Sequence, residues 1–276
     1  MEDVFTVQDL DKVNTQVTYV SPTGEQWLLA GTDHGVTDAN QRVVLLEGGF
    51  TGGVANPEVT LNDAPTGIGQ WAGEFTLPPL EGELSVVIMD TPVNAGRTFR
   101  NWRHSWTPFN DGVLKVIDRA GGNYWTPVRL VPGGLGTVDL DPTYRRAIPD
   151  EVKWRGLEGC WYGAADTYTG TAKVVSSGDM RPSVRLKWDG SPATVTFPTG
   201  QRVTLPDITR GAYFIDLNRG MSGHVTNKDG ETVVAAWAAL RGLILGVTLT
   251  PHVPTTWILN EGVTLEVTPR YLTPWR

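Results

Sequence analysis

Ser183-Val184-Arg185-Leu186-Lys187-Trp188, followed after Asp189-Gly190 by Ala193-Thr194-Val195-Thr196-Phe197, alternates polar and apolar residues without a slip through both runs. Successive side chains of a strand point to opposite faces, so this period of two reads as two half-buried β-strands joined at a turn. Gly262-Val263-Thr264-Leu265-Glu266-Val267 repeats the pattern, and Ala212 to Leu217 is a denser apolar run. Turn residues at Pro198-Thr199-Gly200 and Asp229-Gly230 divide the region at the spacing of an antiparallel sandwich. From about residue 159 onward the chain therefore reads as strands alone, with no βαβ rhythm and no internal repeat.

Outward from this region, the N-terminal half is more mixed. Gln16-Val17-Thr18-Tyr19-Val20 and Gln26-Trp27-Leu28-Leu29 flank Ser21-Pro22-Thr23-Gly24, which predicts a hairpin. Residues 31–70 hold one short apolar run, Val43 to Leu46, among many glycines and prolines, and read as a long, loop-rich excursion. Glu83 to Met89 reads as a strand. Beyond it, Ala95, Phe99, Trp102 and Trp106 make an apolar stripe of helical period, with Arg97, Arg100 and Arg103 on the other side. With Thr91 as the cap, Pro92 at the first position and Thr107-Pro108 as the stop, a helix is predicted over about 91–106. Val113 to Ile117 and Tyr124 to Leu130 form a second hairpin around Gly121-Gly122. A turn-rich stretch follows from Pro132 to Pro149, then a strand at Val152 to Leu157. The shift in composition divides the chain into domains of 1–158 and 159–276.

Composition agrees with a turn-rich β protein. The 276 residues include 32 Gly and 19 Pro, and the charged fraction of 19% lies below the usual roughly 25%. Forty per cent apolar residues and 11 Trp suffice for a packed core, which argues against wholesale disorder. The single Cys160 cannot pair within the chain, so neither a disulfide scaffold nor a cysteine-ligated zinc site is expected. Met1-Glu2-Asp3-Val4 is acidic with no apolar segment behind it, so no signal peptide is expected. The longest apolar run, Val233 to Leu240, is far short of a membrane span, and no membrane insertion is expected. A net charge of -7 argues against wrapping duplex DNA, whose phosphates need clustered Lys and Arg.

No motif for catalysis emerges. His34, His104, His224 and His252 stand far apart and fit no metal-binding spacing. Gly220-Met221-Ser222-Gly223-His224 misses the nucleophile-elbow pattern by one residue and reads as a tight turn. Gly133-Gly134-Leu135-Gly136 has no Lys-Ser/Thr after it, so it is no phosphate loop. Asp139 and Asp141 are the closest carboxylate pair, and Asp beside Pro142 is favoured for turn hydrogen bonds. Trp154, Trp161, Tyr162 and Tyr168 allow two readings, a sugar-stacking platform or core packing. Catalytic, cofactor and metal residues are thus all expected to be absent.

One ordered set of motifs resembles a family. Thr18-Tyr19-Val20-Ser21-Pro22-Thr23-Gly24-Glu25-Gln26-Trp27-Leu28-Leu29-Ala30-Gly31, then Val43 to Gly53 with Pro57, is similar to the start of distal tail proteins (minor tail proteins) of long-tailed phages infecting actinobacteria. Arg97 to Trp106, Gly112 to Val116, Val128-Arg129-Leu130, Gly211 to Leu217 with Gly220, and Arg270-Tyr271-Leu272-Thr273-Pro274-Trp275 continue the likeness. The resemblance implies a mainly β chain: a tail-tube-like barrel or sandwich with one helix, then a galectin-like antiparallel sandwich. It implies a homo-hexameric ring at the distal end of the virion tail, joining the tube protein to the tip or baseplate. Its expected partners are the tail-associated lysin or hub protein and other minor tail or receptor-binding proteins, with DNA passing through the lumen unbound. A carbohydrate-binding module recognising host-wall glycans is the alternative, with the Trp154 to Tyr168 aromatics as its platform.

A cyclic ring needs heterologous contacts between two different faces of each copy. Val43, Val44, Leu45, Leu46, Phe50 and Val54 sit beside four glycines, more apolar surface than a small sheet hides alone. Val43, Leu45, Phe50 and Val54 are therefore the expected inter-subunit residues.

Overall fold

In the computed structural model, residues 15–31, 43–63, 68–89, 94–137, 141, 145–218, 223–241, 243, 247 and 249–275 are described. Nineteen strands and two helices are assigned among them. The chain separates into two units, Met1–Trp161 with Leu272–Arg276, and Tyr162–Tyr271. The division drawn from composition leaves residues 272–276 with the second domain. They belong to the first because the Leu272 carbonyl accepts from the Ala55 amide at 2.8 Å and the Trp275 ring meets Phe50 edge-on at 5.3 Å.

In the first unit, β1 (Gln16–Val20) and β2 (Gln26–Ala30) form the expected hairpin. Gly24 takes a φ of 88° in its turn, a conformation that costs glycine little. Then come β3 (Val43–Gly52), β4 (Glu58–Asp63), β5 (Gln70–Thr76) and β6 (Leu80–Met89). Helix α1 (Ala95–Ser105) leads to β7 (Gly112–Ile117), β8 (Asn123–Leu135) and β9 (Ala147–Gly156). All pairings here are antiparallel. One sheet runs β2-β1-β7-β8 and the other β3-β6-β9-β8, so β8 serves both, and β2 lies beside β3.

Helix α1 starts later than the sequence predicts. Thr91 and Pro92 lie outside the described residues, and the cap is Asn94, whose Oδ1 accepts from the Gly96 amide at 2.7 Å. The stripe buries as predicted: Ala95, Phe99, Trp102 and Trp106 are covered, and Arg97 and Arg100 are exposed. Trp102 meets Trp27 and Trp106 edge-on, each at 5.5 Å, and Trp106 stacks on Tyr19 at 3.7 Å. Burial pushes the Tyr19 phenol up, so it stays a donor, and it reaches the Ser105 carbonyl at 2.8 Å. That bond satisfies one of the carbonyls a helix end leaves unpaired.

Two further expectations are corrected. Pro132-Gly133-Gly134 is part of β8, which continues to Leu135 through a register shift against β9. Glycine permits this, since Gly133 has a φ of 73° and a Cβ on Gly134 would stand 2.7 Å from the Lys153 carbonyl. Likewise, the excursion of residues 31–70 contains strands. β3 spans ten residues with a shift between Leu45 and Phe50 that places four residues outside the ladder.

The two-residue β10 (Trp161–Tyr162) falls at the division of the units. The second unit then has β11 (Asp166–Tyr168), β12 (Thr171–Val174), β13 (Met180–Trp188), β14 (Ala193–Thr196), β15 (Arg202–Leu205), β16 (Tyr213–Asp216) and β17 (Val225–Asn227). Helix α2 (Val234–Leu240), β18 (Thr255–Leu259) and β19 (Val263–Tyr271) complete it. Strands β17-β16-β13-β19-β11 make one antiparallel layer and β12-β18-β14-β15 the other. Their inward residues form one core, with Trp188, Leu186 and Leu265 from the first layer and Trp257, Val195 and Leu259 from the second. Helix α2 departs from the all-strand expectation. Its four alanines favour helix, and the i, i+4 pair Ala236 and Leu240 adds one apolar face to the core.

Candidate assembly surface

Glu58-Val59-Thr60-Leu61-Asn62-Asp63 alternates, and β5 returns opposite it with Val59 facing Phe75 and Asp63 facing Gln70. In a sheet packed on a core, one face of such a pair would be covered. Here Val59 is 48% exposed, Leu61 60%, Trp71 55% and Phe75 46%. The hairpin forms its own two-stranded sheet, and its strands make substantial contacts only with each other among the described elements. Two strands alone are marginally stable in water, and this pair leaves large apolar side chains open to it.

The four residues expected at an inter-subunit interface are distributed differently. Val43 is buried within its own unit, so it offers nothing to a neighbour. Leu45 and Phe50 are partly covered, Phe50 by Trp154 at 6.2 Å and by Trp275. Val54, just ahead of the hairpin, is 47% exposed. Composition does not single out Val59, Leu61, Trp71 and Phe75; the sequence signal for them is the two-residue spacing of Val59 and Leu61 and the β-favouring Trp71 and Phe75 beyond the turn residues Pro65 and Gly67.

The proposed sugar platform is corrected. Trp154 and Trp161 have no exposed surface; they meet edge-on at 6.5 Å, and the Trp161 indole donates to the Gly53 carbonyl at 2.7 Å. Gly82, opposite Trp154 on β6, exists as glycine because a Cβ there would stand 2.4 Å from the indole. In the second unit, Tyr162 is buried beneath the Arg270 guanidinium, 5.4 Å from its ring centre. Tyr168 is half-buried, its phenol raised first by burial and then by Asp166. A pyranose needs an open aromatic face, and the first three residues present none.

Polar side chains are engaged structurally. Arg103 grips Asp150 through two nitrogens, Nη2 at 2.5 Å and Nε at 3.2 Å, and Nη2 also donates to the Gly136 carbonyl; this ties α1 to β9. Glu266 lies between Arg185 at 2.5 Å and Lys187 at 3.4 Å. Burial alone would raise its carboxyl, but the two cations outweigh burial and hold it below the usual range. Cys160 is buried and forms no disulfide. Asp139 and Gly220 to Ser222 lie outside the described residues, and Asp141 is exposed. Among the described residues no group of three His, Cys, Asp or Glu could hold a metal, and no helix is long and apolar enough to cross a membrane.

Comparison with known proteins rests on structure, since no family model and no curated protein sequence matches the chain. The SPP1 Dit (gp 19.1) protein, described as a paradigm of the hub adsorption apparatus in Gram-positive infecting phages, superposes with a TM-score of 0.57. The match covers 93% of this chain and 99% of that one at 13% identity. The chain has the Dit fold. A chain of the phage P2 baseplate in its activated conformation with Ca gives a TM-score of 0.52 at 9% identity, covering 93% of this chain and 98% of that one. The matched residues thus come from both units of the chain.

Proposed function

We propose that this chain is a structural subunit of a phage tail, the distal tail protein that forms a six-fold ring between the tail tube and the tip or baseplate. The observation that carries this reading is the end-to-end likeness to the SPP1 Dit hub, which leaves almost no part of either chain unmatched. The unpartnered β4–β5 hairpin supports it, because an exposed apolar arm suits a subunit that is covered on assembly. The tail tube protein and the tail-associated lysin or hub protein are the neighbours this position requires, with DNA passing through the lumen without specific contacts. The motifs shared with distal tail proteins of phages infecting actinobacteria favour such a host. No enzymatic role is assigned. The carbohydrate-binding alternative loses its support with the burial of Trp154, Trp161 and Tyr162.

Particles in which this chain carries a tag provide the test. Imaging of labelled tails should place it at the distal end, and mass measurement of isolated tips should give six copies or a multiple of six. A label along the tube, in the capsid or absent from the particle overturns the reading.

A further inference from the structure

The sheet β2-β1-β7-β8 has two faces of unequal treatment. Its inward residues, among them Val17, Tyr19, Trp27, Leu29, Leu114, Val116, Tyr124 and Val128, are buried. The opposite face alternates with them and has no covering layer among the described residues. Register places Leu28, Thr18, Lys115 and Trp125 in one row and Gln26, Val20, Val113 and Pro127 in the next, with Ile117 beyond. An antiparallel sheet that meets water normally carries polar residues on that side. This one carries six apolar residues, Trp125 and Ile117 each 36% exposed and Val20, Leu28, Val113 and Pro127 half-buried, around an exposed Lys115 that forms no ion pair with a described residue.

The β4–β5 hairpin is its complement. Val59, Leu61 and Phe75 share one face, and Asp63 ends the same row. Residues 54–76 contain Glu58, Asp63 and Glu74 and no Lys, Arg or His. Six residues of strand extend about 20 Å, which suits a platform of four strands spaced about 4.8 Å apart. We propose that the apolar face of this hairpin docks on the outer β2-β1-β7-β8 face of a second copy of the chain, with Asp63 set toward Lys115. The inference rests on the ring reading above and adds to it the receiving surface. Arm and platform are different patches of one chain, so the contact is heterologous and repeats from copy to copy until a ring closes. Opposite charges on two apolar surfaces also set which way the hairpin lies.

The test uses full-length chains in assembled tails. Leu61→Cys is combined in turn with Val113→Cys and Ile117→Cys, and a short bismaleimide is added; buried Cys160 contributes no background. At least one pair should give covalent multimers of this chain, and no single variant should. Separately, Lys115→Glu should lower the yield of tails by about tenfold, and Asp63→Lys in the same chain should restore it. Tails that hold the chain in a six-fold ring, with no cross-link from either pair and full yield from Lys115→Glu, would overturn the docking while leaving the ring reading intact. Cross-links from Leu61→Cys to a different tail protein would also overturn the docking. Absence of the chain from the tail would overturn both.

Discussion

The nest formed by Tyr19, Trp27, Trp102 and Trp106 and the hairpin β4–β5 use the same kinds of residue for opposite purposes. In the nest every ring is covered by its own unit. In the hairpin Trp71 and Phe75, with Val59 and Leu61, stay about half exposed. The difference lies in what stands behind each strand pair. Tyr19 of β1 and Trp27 of β2 meet Trp102 of α1, and Tyr19 also stacks on Trp106 just beyond it, whereas β4 and β5 have no layer behind them among the described residues. Large apolar side chains therefore stabilise the fold in one place and stay exposed in the other, where the proposed ring would cover them. Substitutions should separate the two accordingly.

Trp102→Ala should have the largest effect. It removes a fully buried indole at the centre of the nest and should cost about 3–5 kcal/mol, read from urea unfolding of the full-length chain. A loss under about 1 kcal/mol would mean that the nest is no more consolidated than the hairpin. Arg103→Leu comes next. Asp150 is almost fully buried, and leaving its carboxylate unpaired should cost about 3 kcal/mol, most of it recovered when Asp150→Leu is added. Gly82→Ala should cost about 1–3 kcal/mol, because the added Cβ drives the Trp154 indole from its seat. Near-ultraviolet circular dichroism would follow that displacement.

Much of the nest was legible in the sequence, because Ala95, Phe99, Trp102 and Trp106 fall at helical spacing and the β-rich runs holding Tyr19 and Trp27 flank a Pro/Gly turn. The hairpin was less legible. Turn residues around it suppress any strand signal counted by composition, and a period of two reports which residues share a face without saying whether anything covers that face. The same limit explains Trp154 and Trp161. Aromatics close in sequence suit a platform or a core equally, and only the glycines at 53 and 82, which let the chain close over them, decide for the core. Val234 to Leu240 misled for a further reason: a short apolar run has no period of its own, and its alanines were outweighed by the strands around it.

In the second unit a smaller effect should appear on acidification. The Glu266 carboxyl is depressed in the folded chain below its ordinary 4.5, so its contribution is complete above that value and is lost as pH falls through the lower, folded one. Arg185 and Lys187 are each nearly half exposed, and solvent screening should hold the contribution under about 1 kcal/mol. Wild-type stability should therefore fall more steeply than that of Glu266→Gln below about pH 4.5. Parallel curves would show that the pair does not stabilise this sheet. Such a result would leave the contrast between nest and hairpin unchanged.

The smallest effect on folding is expected where the effect on assembly is greatest. Val59→Asp with Phe75→Asp places two carboxylates at positions that water already reaches, so the unfolding free energy of the isolated chain should move by no more than about 0.5 kcal/mol. In particles the same two carboxylates would have to be desolvated against an apolar seam, and neither would have a partner there. Tails should then fail to assemble, although the protein accumulates folded. Trp102→Ala predicts the reverse order of events, since it lowers the amount of folded chain before assembly begins. Measured together, the two variants distinguish a surface reserved for a neighbour from an apolar hairpin that is merely tolerated. Equal destabilisation by both would place the hairpin within the core of its own unit and remove the physical basis for the arm.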